Sequence, residues 1–259
     1  MKSIMKNAIS DLTEAARGLL LNRRALALFL VIYVALLATL SLFILTREAT
    51  IKDLLVTSAT LIAVPALFFL LQAMCVCYTE TSSARQIIRE SVAILRKLIV
   101  VTVPFIVIGL AFYLILDKFD ARFSVSLQGQ TPATLAREGE TWPRVVISAI
   151  RLVTFGMVLP LACIHTWIAI RRGDVRKVLS TFKPILTRAF ALRSVETYVV
   201  GFAVFGILPY LLIIVRTPSE RAWLEISLLG TRLAVAFVLM LIGWVITVGA
   251  LQRGTLAEG

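Results

Sequence analysis

Six runs of about 20 residues, each without Asp or Glu in its interior, divide this chain at roughly 25–45, 54–77, 98–116, 145–170, 197–215 and 225–250. A helix of about 20 residues, rising 1.5 Å per residue, crosses a hydrocarbon core of roughly 30 Å. Lipid offers no partner to backbone N–H and C=O groups, so a spanning segment must satisfy them internally. The runs lack the apolar–polar alternation of a membrane barrel, which leaves helix as the only solution. The expected fold is all-α: a polytopic membrane bundle of six transmembrane helices, forming one membrane domain over 1–259. Only 16% of residues are charged and 59% are hydrophobic, whereas soluble domains average about 25% charged. The first run is too long for a signal-peptide core, and no small-residue cleavage pattern follows Leu45, so it reads as a retained anchor.

Charge sets the orientation. Of the 27 Lys and Arg, 17 fall in the N-terminal segment, the 78–97 and 171–196 loops and the tail; eight fall on the other side. The positive-inside rule puts the richer face, with both termini, in the cytoplasm. The net charge of +12 is then a topology signal: its partners are the membrane and its anionic lipids, and nucleic acid is not expected.

The basic segments are patterned. Residues 84–97, ARQIIRESVAILRK, place Ile87, Ile88, Val92 and Leu95 at helical spacing, with Arg85, Arg89, Arg96 and Lys97 elsewhere. Residues 175–190 do the same with Val175, Val178, Leu179, Phe182, Leu186 and Phe190, and so does the N-terminus with Ala8, Ile9, Leu12, Ala16 and Leu19. Each reads as an amphipathic helix in the inner interface that turns into the following span. Thr81-Ser82-Ser83 and Asp174 supply N-caps.

The segments also repeat. Shifting 84–98 by 91 lays Arg85, Ile87, Ile88, Ile94, Leu95 and Lys97 over Arg176, Val178, Leu179, Ile185, Leu186 and Arg188. Shifting 151–173 by 81 lays Arg151, Leu152, Thr166, Arg172 and Gly173 over Arg232, Leu233, Thr247, Arg253 and Gly254. The expectation is three units, about 1–80, 81–172 and 173–259, each an interfacial helix plus a helical hairpin, around an axis near the membrane normal. Chance matching of amphipathic-plus-apolar segments is the other reading.

ARQIIRESVAILRKLIV at 84–100 and VRKVLSTFKPILTRAF at 175–190, each leading into a span, resemble the membrane domain fused to some bacterial glycerophosphodiester phosphodiesterases. The pattern is similar also to small stand-alone inner-membrane proteins of that type. The resemblance implies a bacterial inner-membrane setting and a link to lipids or envelope upkeep. No counterpart of the catalytic barrel stands in this sequence, so no activity is carried over.

Candidate sites are few. Arg151 and Arg232 lie inside spans, a turn or two from the outer ends. Either could snorkel to headgroups or bind a lipid phosphate bidentately. Arg85, Arg89, Arg96, Lys97, Arg171, Arg172, Arg176 and Lys177 are the remaining candidates for lipid or anion contact. His165, the one histidine, and Cys75, Cys77 and Cys163 fall short of the three or four converging ligands of a metal site. They read as packing residues, His165 with one hydrogen bond. Pro65, Pro104, Pro160 and Pro209 lie within spans, where proline kinks a helix and frees a carbonyl. In the external loop, about 117–144, Phe123–Leu127 alternates like a short strand and Thr131-Pro132 opens a helix ending at Gly139. Trp142 fits an interfacial anchor.

No H-E-x-x-H, G-x-S-x-G or P-loop occurs, and no cofactor motif. The expected role is non-enzymatic: a scaffold or lipid-organising subunit, with protein partners in a larger membrane complex. The other reading is a permease or transporter of lipid or small solutes, in which the arginines would face a central path.

Overall fold

The computed structural model describes residues 2–46, 50–80, 82–127, 141–180, 182–215 and 221–257. The helices are α1 (Lys2–Leu21), α2 (Arg23–Leu45), α3 (Ile51–Cys77), α4 (Ala84–Leu127), α5 (Thr141–Val153), α6 (Leu159–Arg172), α7 (Val175–Ser180), α8 (Phe182–Ala189), α9 (Leu192–Phe202), α10 (Leu208–Ile214) and α11 (Ala222–Ala257). Single π-helical turns, Thr154–Val158 and Ala203–Ile207, join α5 to α6 and α9 to α10. Among the described residues, six segments are long and apolar enough to cross a membrane: α2, α3, α4, α5–α6, α9–α10 and α11. Their outward residues are apolar and open; Ile62 and Ile226 are each 71% exposed. In water so wide an apolar surface would drive association, whereas in lipid it is the solvated face. The molecule is an all-helical, multi-pass membrane protein.

Packing is concentrated toward the basic end. Every residue from Leu71 to Cys77 on α3 and from Leu161 to Ile168 on α6 is buried. A helix covered on all sides must be central. Indeed α3, α6 and α11 touch one another, while α2 pairs with α3, α4 with α6, and α10 with α11. The basic-end helices are shared around this centre: α1 lies on α11 and α9, α4 on α3, and α8 on α6.

The entries into the spans differ. Asn22 breaks α1 from α2: its Oδ1 accepts from the Ala25 N–H at 3.1 Å, and its Nδ2 donates to the Ser82 carbonyl at 3.1 Å. Ala191, in extended backbone, breaks α8 from α9. The expected turn between 84–97 and the third span is absent, because α4 runs unbroken for 44 residues, about 66 Å. Its buried stripe of Ile87, Ser91, Leu98, Val101 and Phe105 continues from the amphipathic part into the span at the same helical spacing, so nothing calls for a break. Ser83 Oγ accepts from the Gln86 N–H at 3.2 Å and caps its start. Likewise Phe123–Leu127 is the last part of α4 and not a strand; five alternating residues cannot outweigh a helix already propagating through them. The helix expected over 131–139 lies outside the described residues.

The π turns follow from proline. Pro160 and Pro209 each stand second after a π turn, where the wider turn relieves the ring's clash with the preceding turn. Pro160 has no N–H to give the Gly156 carbonyl four residues back, and the buried Tyr198 hydroxyl of α9 donates to it instead, at 2.8 Å. Pro65 and Pro104 are accommodated inside continuous α3 and α4. Tyr198→Phe should lower stability by about 1 kcal/mol, read as a reduced unfolding midpoint in detergent; an unchanged midpoint would show that the carbonyl finds another donor.

Candidate functional site

Two cavities lie back to back along the bundle axis. The first, about 880 Å³, is lined by all six spans, among them Leu36, Phe68, Leu110, Phe155, Phe205 and Met240. Its few polar lining groups are mostly engaged with each other. The Trp167 indole N–H donates to Thr102 Oγ1 at 2.8 Å, and that of Trp244 to Gln72 Oε1 at 2.8 Å. These pairs join α6 to α4 and α11 to α3 and form the floor. What remains is apolar wall, in the size range of small-molecule and lipid sites, roughly 300–1,000 Å³.

The second cavity, about 890 Å³, opens at the basic end, under α1 and around the ends of α3, α6 and α11. Its walls carry both signs of charge: Asp11, Glu14 and Glu80 against Arg171, Arg172 and Arg253. The last carbonyls of α3 lack intrahelical partners, and neighbouring helices supply them. Gln252 Nε2 donates to the Cys75 and Val76 carbonyls, each at 3.0 Å, and Arg171 Nη1 to Val76 at 3.1 Å. Arg171 also faces Glu90 at 3.6 Å. Arg193 pairs with Asp11 at 2.6 Å, Arg253 with Glu14 at 2.6 Å and with Glu80, and Lys97 with Asp174 at 3.3 Å. The backbone N–H of Val175, then Lys97, hold the Asp174 carboxyl below its ordinary range. This lattice ties α1, α4 and the α6–α7 turn to the three central helices.

The candidate arginines therefore separate into groups. Lys97 and Arg171 are engaged within the protein. Arg85, Arg89, Arg96, Arg172, Arg176 and Lys177 are exposed at the basic end. Arg151 and Arg232 do not converge, and neither lines the apolar cavity. Arg232 donates to the Val215 carbonyl just past α10. Arg151 lies between Asp120 (3.6 Å) and Asp117 (3.8 Å) on α4, over the Tyr113 ring at 5.8 Å. Sequence reasoning missed both aspartates because they sit on another helix at a span end, where acidic residues are ordinary.

His165 is buried and its Nε2 has no hydrogen-bond partner, in place of the bond expected for it. Cys75, Cys77 and Cys163 are buried free thiols. Among the described residues no three His, Cys, Asp or Glu side chains form a metal-holding group.

No protein-family model, curated protein or solved structure matches the chain. The class, a six-span helical membrane protein, thus rests on the molecule's own chemistry.

Proposed function

We propose that this is a non-enzymatic, lipid-organising protein of a bacterial inner membrane, which takes a membrane lipid into the cavity between its six spans. The carrying observation is that cavity: about 880 Å³ of apolar wall contributed by every span, closed toward the basic end by the two Trp-to-polar pairs. An apolar recess inside a bilayer is filled at least cost by an acyl chain. The basic end is cytoplasmic in this reading, by the distribution of Lys and Arg. Its exposed arginines, Arg85, Arg89, Arg96, Arg172 and Arg176, meet anionic headgroups there. The setting follows the resemblance to phosphodiesterase membrane domains, and the three-unit organisation is supported by the cyclic way α1, α4 and α8 pack on α11, α3 and α6.

A transporter reading is favoured by one observation, the second cavity directly beneath the first. Trp167 lines one and Ile168 the other, so the partition between them is thin. Against it, the arginines expected to face a path are tied up at the far end.

The test uses Ile106→Trp with Met240→Trp, two half-open lining residues whose enlargement fills the cavity. Native mass spectrometry of protein released from lipid nanodiscs should show wild type retaining lipid and the double variant losing it. Wild type free of lipid, or a variant that keeps it, would overturn the proposal. A stoichiometric protein partner without lipid would establish a scaffold instead.

A further inference from the structure

The floor of the first cavity holds a hydrogen-bond donor that the protein leaves unused. Gln72, on α3, lines that cavity and is only 3% exposed. Its neighbour identifies its two terminal atoms. The Trp244 indole N–H can only donate, so the atom it reaches at 2.8 Å is the amide oxygen. The other atom, Nε2, is the amide nitrogen, and it donates to no described residue. Nor is it sealed within the protein, as the unpartnered Tyr78 hydroxyl and His165 Nε2 are. The space it faces is the cavity. Thr102, the other polar group of the floor, is engaged both ways: Oγ1 accepts from Trp167 at 2.8 Å and donates to the Leu98 carbonyl at 2.7 Å.

The wall above is without charge. No Asp, Glu, Lys, Arg or His stands among the described lining residues, whose other polar groups are the Tyr33 and Tyr113 hydroxyls and the Cys163 thiol. A phosphate or ammonium drawn down to Gln72 would lack a counter-ion in apolar surroundings, which costs more than one N–H returns. The ester carbonyl of a phospholipid cannot reach the amide without bringing its phosphate into the same wall. A hydrocarbon chain alone fills the space but leaves the amide unpaired. An uncharged head bearing a carbonyl satisfies it. The wall has length for a tail as well, since its α4 face runs from Thr102 to Tyr113, about 16 Å at helical rise.

We infer that the cavity takes an uncharged lipid head-first, with a carbonyl oxygen of the head accepting from Gln72 Nε2 and the tail along the α4 wall. This rests on the lipid-holding reading above and adds the head to it. Diacylglycerols and lipid quinones share this chemistry.

Full-length protein is placed in nanodiscs holding equal amounts of phosphatidylethanolamine, phosphatidylglycerol, diacylglycerol and a decyl-substituted benzoquinone. Native mass spectrometry identifies the retained lipid. Wild type should favour the uncharged lipids over either phospholipid by about tenfold, the size of one hydrogen bond in a dry site. The ratio of diacylglycerol to quinone tells which of the two heads fits. Trp244→Phe removes the indole but keeps the amide donor, so the preference should persist. Adding Gln72→Leu removes the donor without orphaning the indole, and the preference should vanish while lipid is still held. If that double variant holds no lipid, Gln72→Met in the same background, closer in shape, decides. Phospholipids held as well as uncharged lipids by wild type, or a preference that survives loss of the Gln72 amide, overturn the head assignment alone. Wild type holding no lipid overturns the cavity reading with it, which the Ile106→Trp, Met240→Trp variant tests separately.

Discussion

Gly243→Val should leave little folded protein, because α9–α10 and α11 meet there backbone to backbone. A Cβ at Gly243 would lie 2.9 Å from Phe205 Cβ, 3.1 Å from the Phe205 backbone nitrogen and 3.1 Å from Val204 Cγ1. No rotamer change moves a backbone nitrogen, so the π turn holding Phe205 must shift. Small residues are what let membrane helices approach this closely. Overpacking ordinarily costs about 1–3 kcal/mol, and the expected loss here is at or above the top of that range. Gly201, nearby on α9, makes a useful contrast. A Cβ there would meet the Thr247 side chain, with 2.9 Å to its Cβ. Gly201→Ala should therefore be destabilising yet recoverable by Thr247→Gly, whereas no side-chain change rescues Gly243→Val. Folded yield and detergent unfolding midpoints for the variants read this directly; an undiminished Gly243→Val midpoint would mean that the two spans can separate freely.

The second large effect lies at the end of α3. Gln252→Leu removes the donor to the Cys75 carbonyl but leaves Arg171 on Val76. The expected cost is about 1–3 kcal/mol, that of a buried polar group left without a partner. Arg171→Met removes the other donor and releases Glu90 from its ion pair. The double variant should cost more than the sum of the two, since only then does the Val76 carbonyl lose both donors. A double-mutant cycle by reversible unfolding in micelles measures the excess. Strict additivity would show that the two side chains serve α3 independently.

Much of this fold was legible in the residues. Six acid-free runs define the spans, and the helical spacing of Ile87, Ser91 and Leu98 marks a face that is buried. The same spacing misled at one point: a turn was expected after Lys97 because the composition changes there, yet the apolar phase does not, and phase governs whether a helix continues. Proline marked irregularity at 160 and 209, but the form it took depends on packing, since Pro65 and Pro104 sit in unbroken helices. The candidate site was less legible. Arg151 stood out as a charge within a span, while its partners Asp117 and Asp120 lie more than 30 residues away in the sequence. The Trp167–Thr102 and Trp244–Gln72 pairs carry no local signal whatever, because their meaning comes from which spans are neighbours.

The contacts of α1 bear on the order of synthesis. Asp11 waits 182 residues for Arg193, and Glu14 waits 239 for Arg253. In a chain made and inserted in sequence order, α1 thus stays undocked, with Ala8, Ala15 and Leu19 uncovered, until α11 arrives. Closing contacts of such long separation form late and set the pace of assembly. Made before α9 and α11, α1 takes its place only once both have arrived.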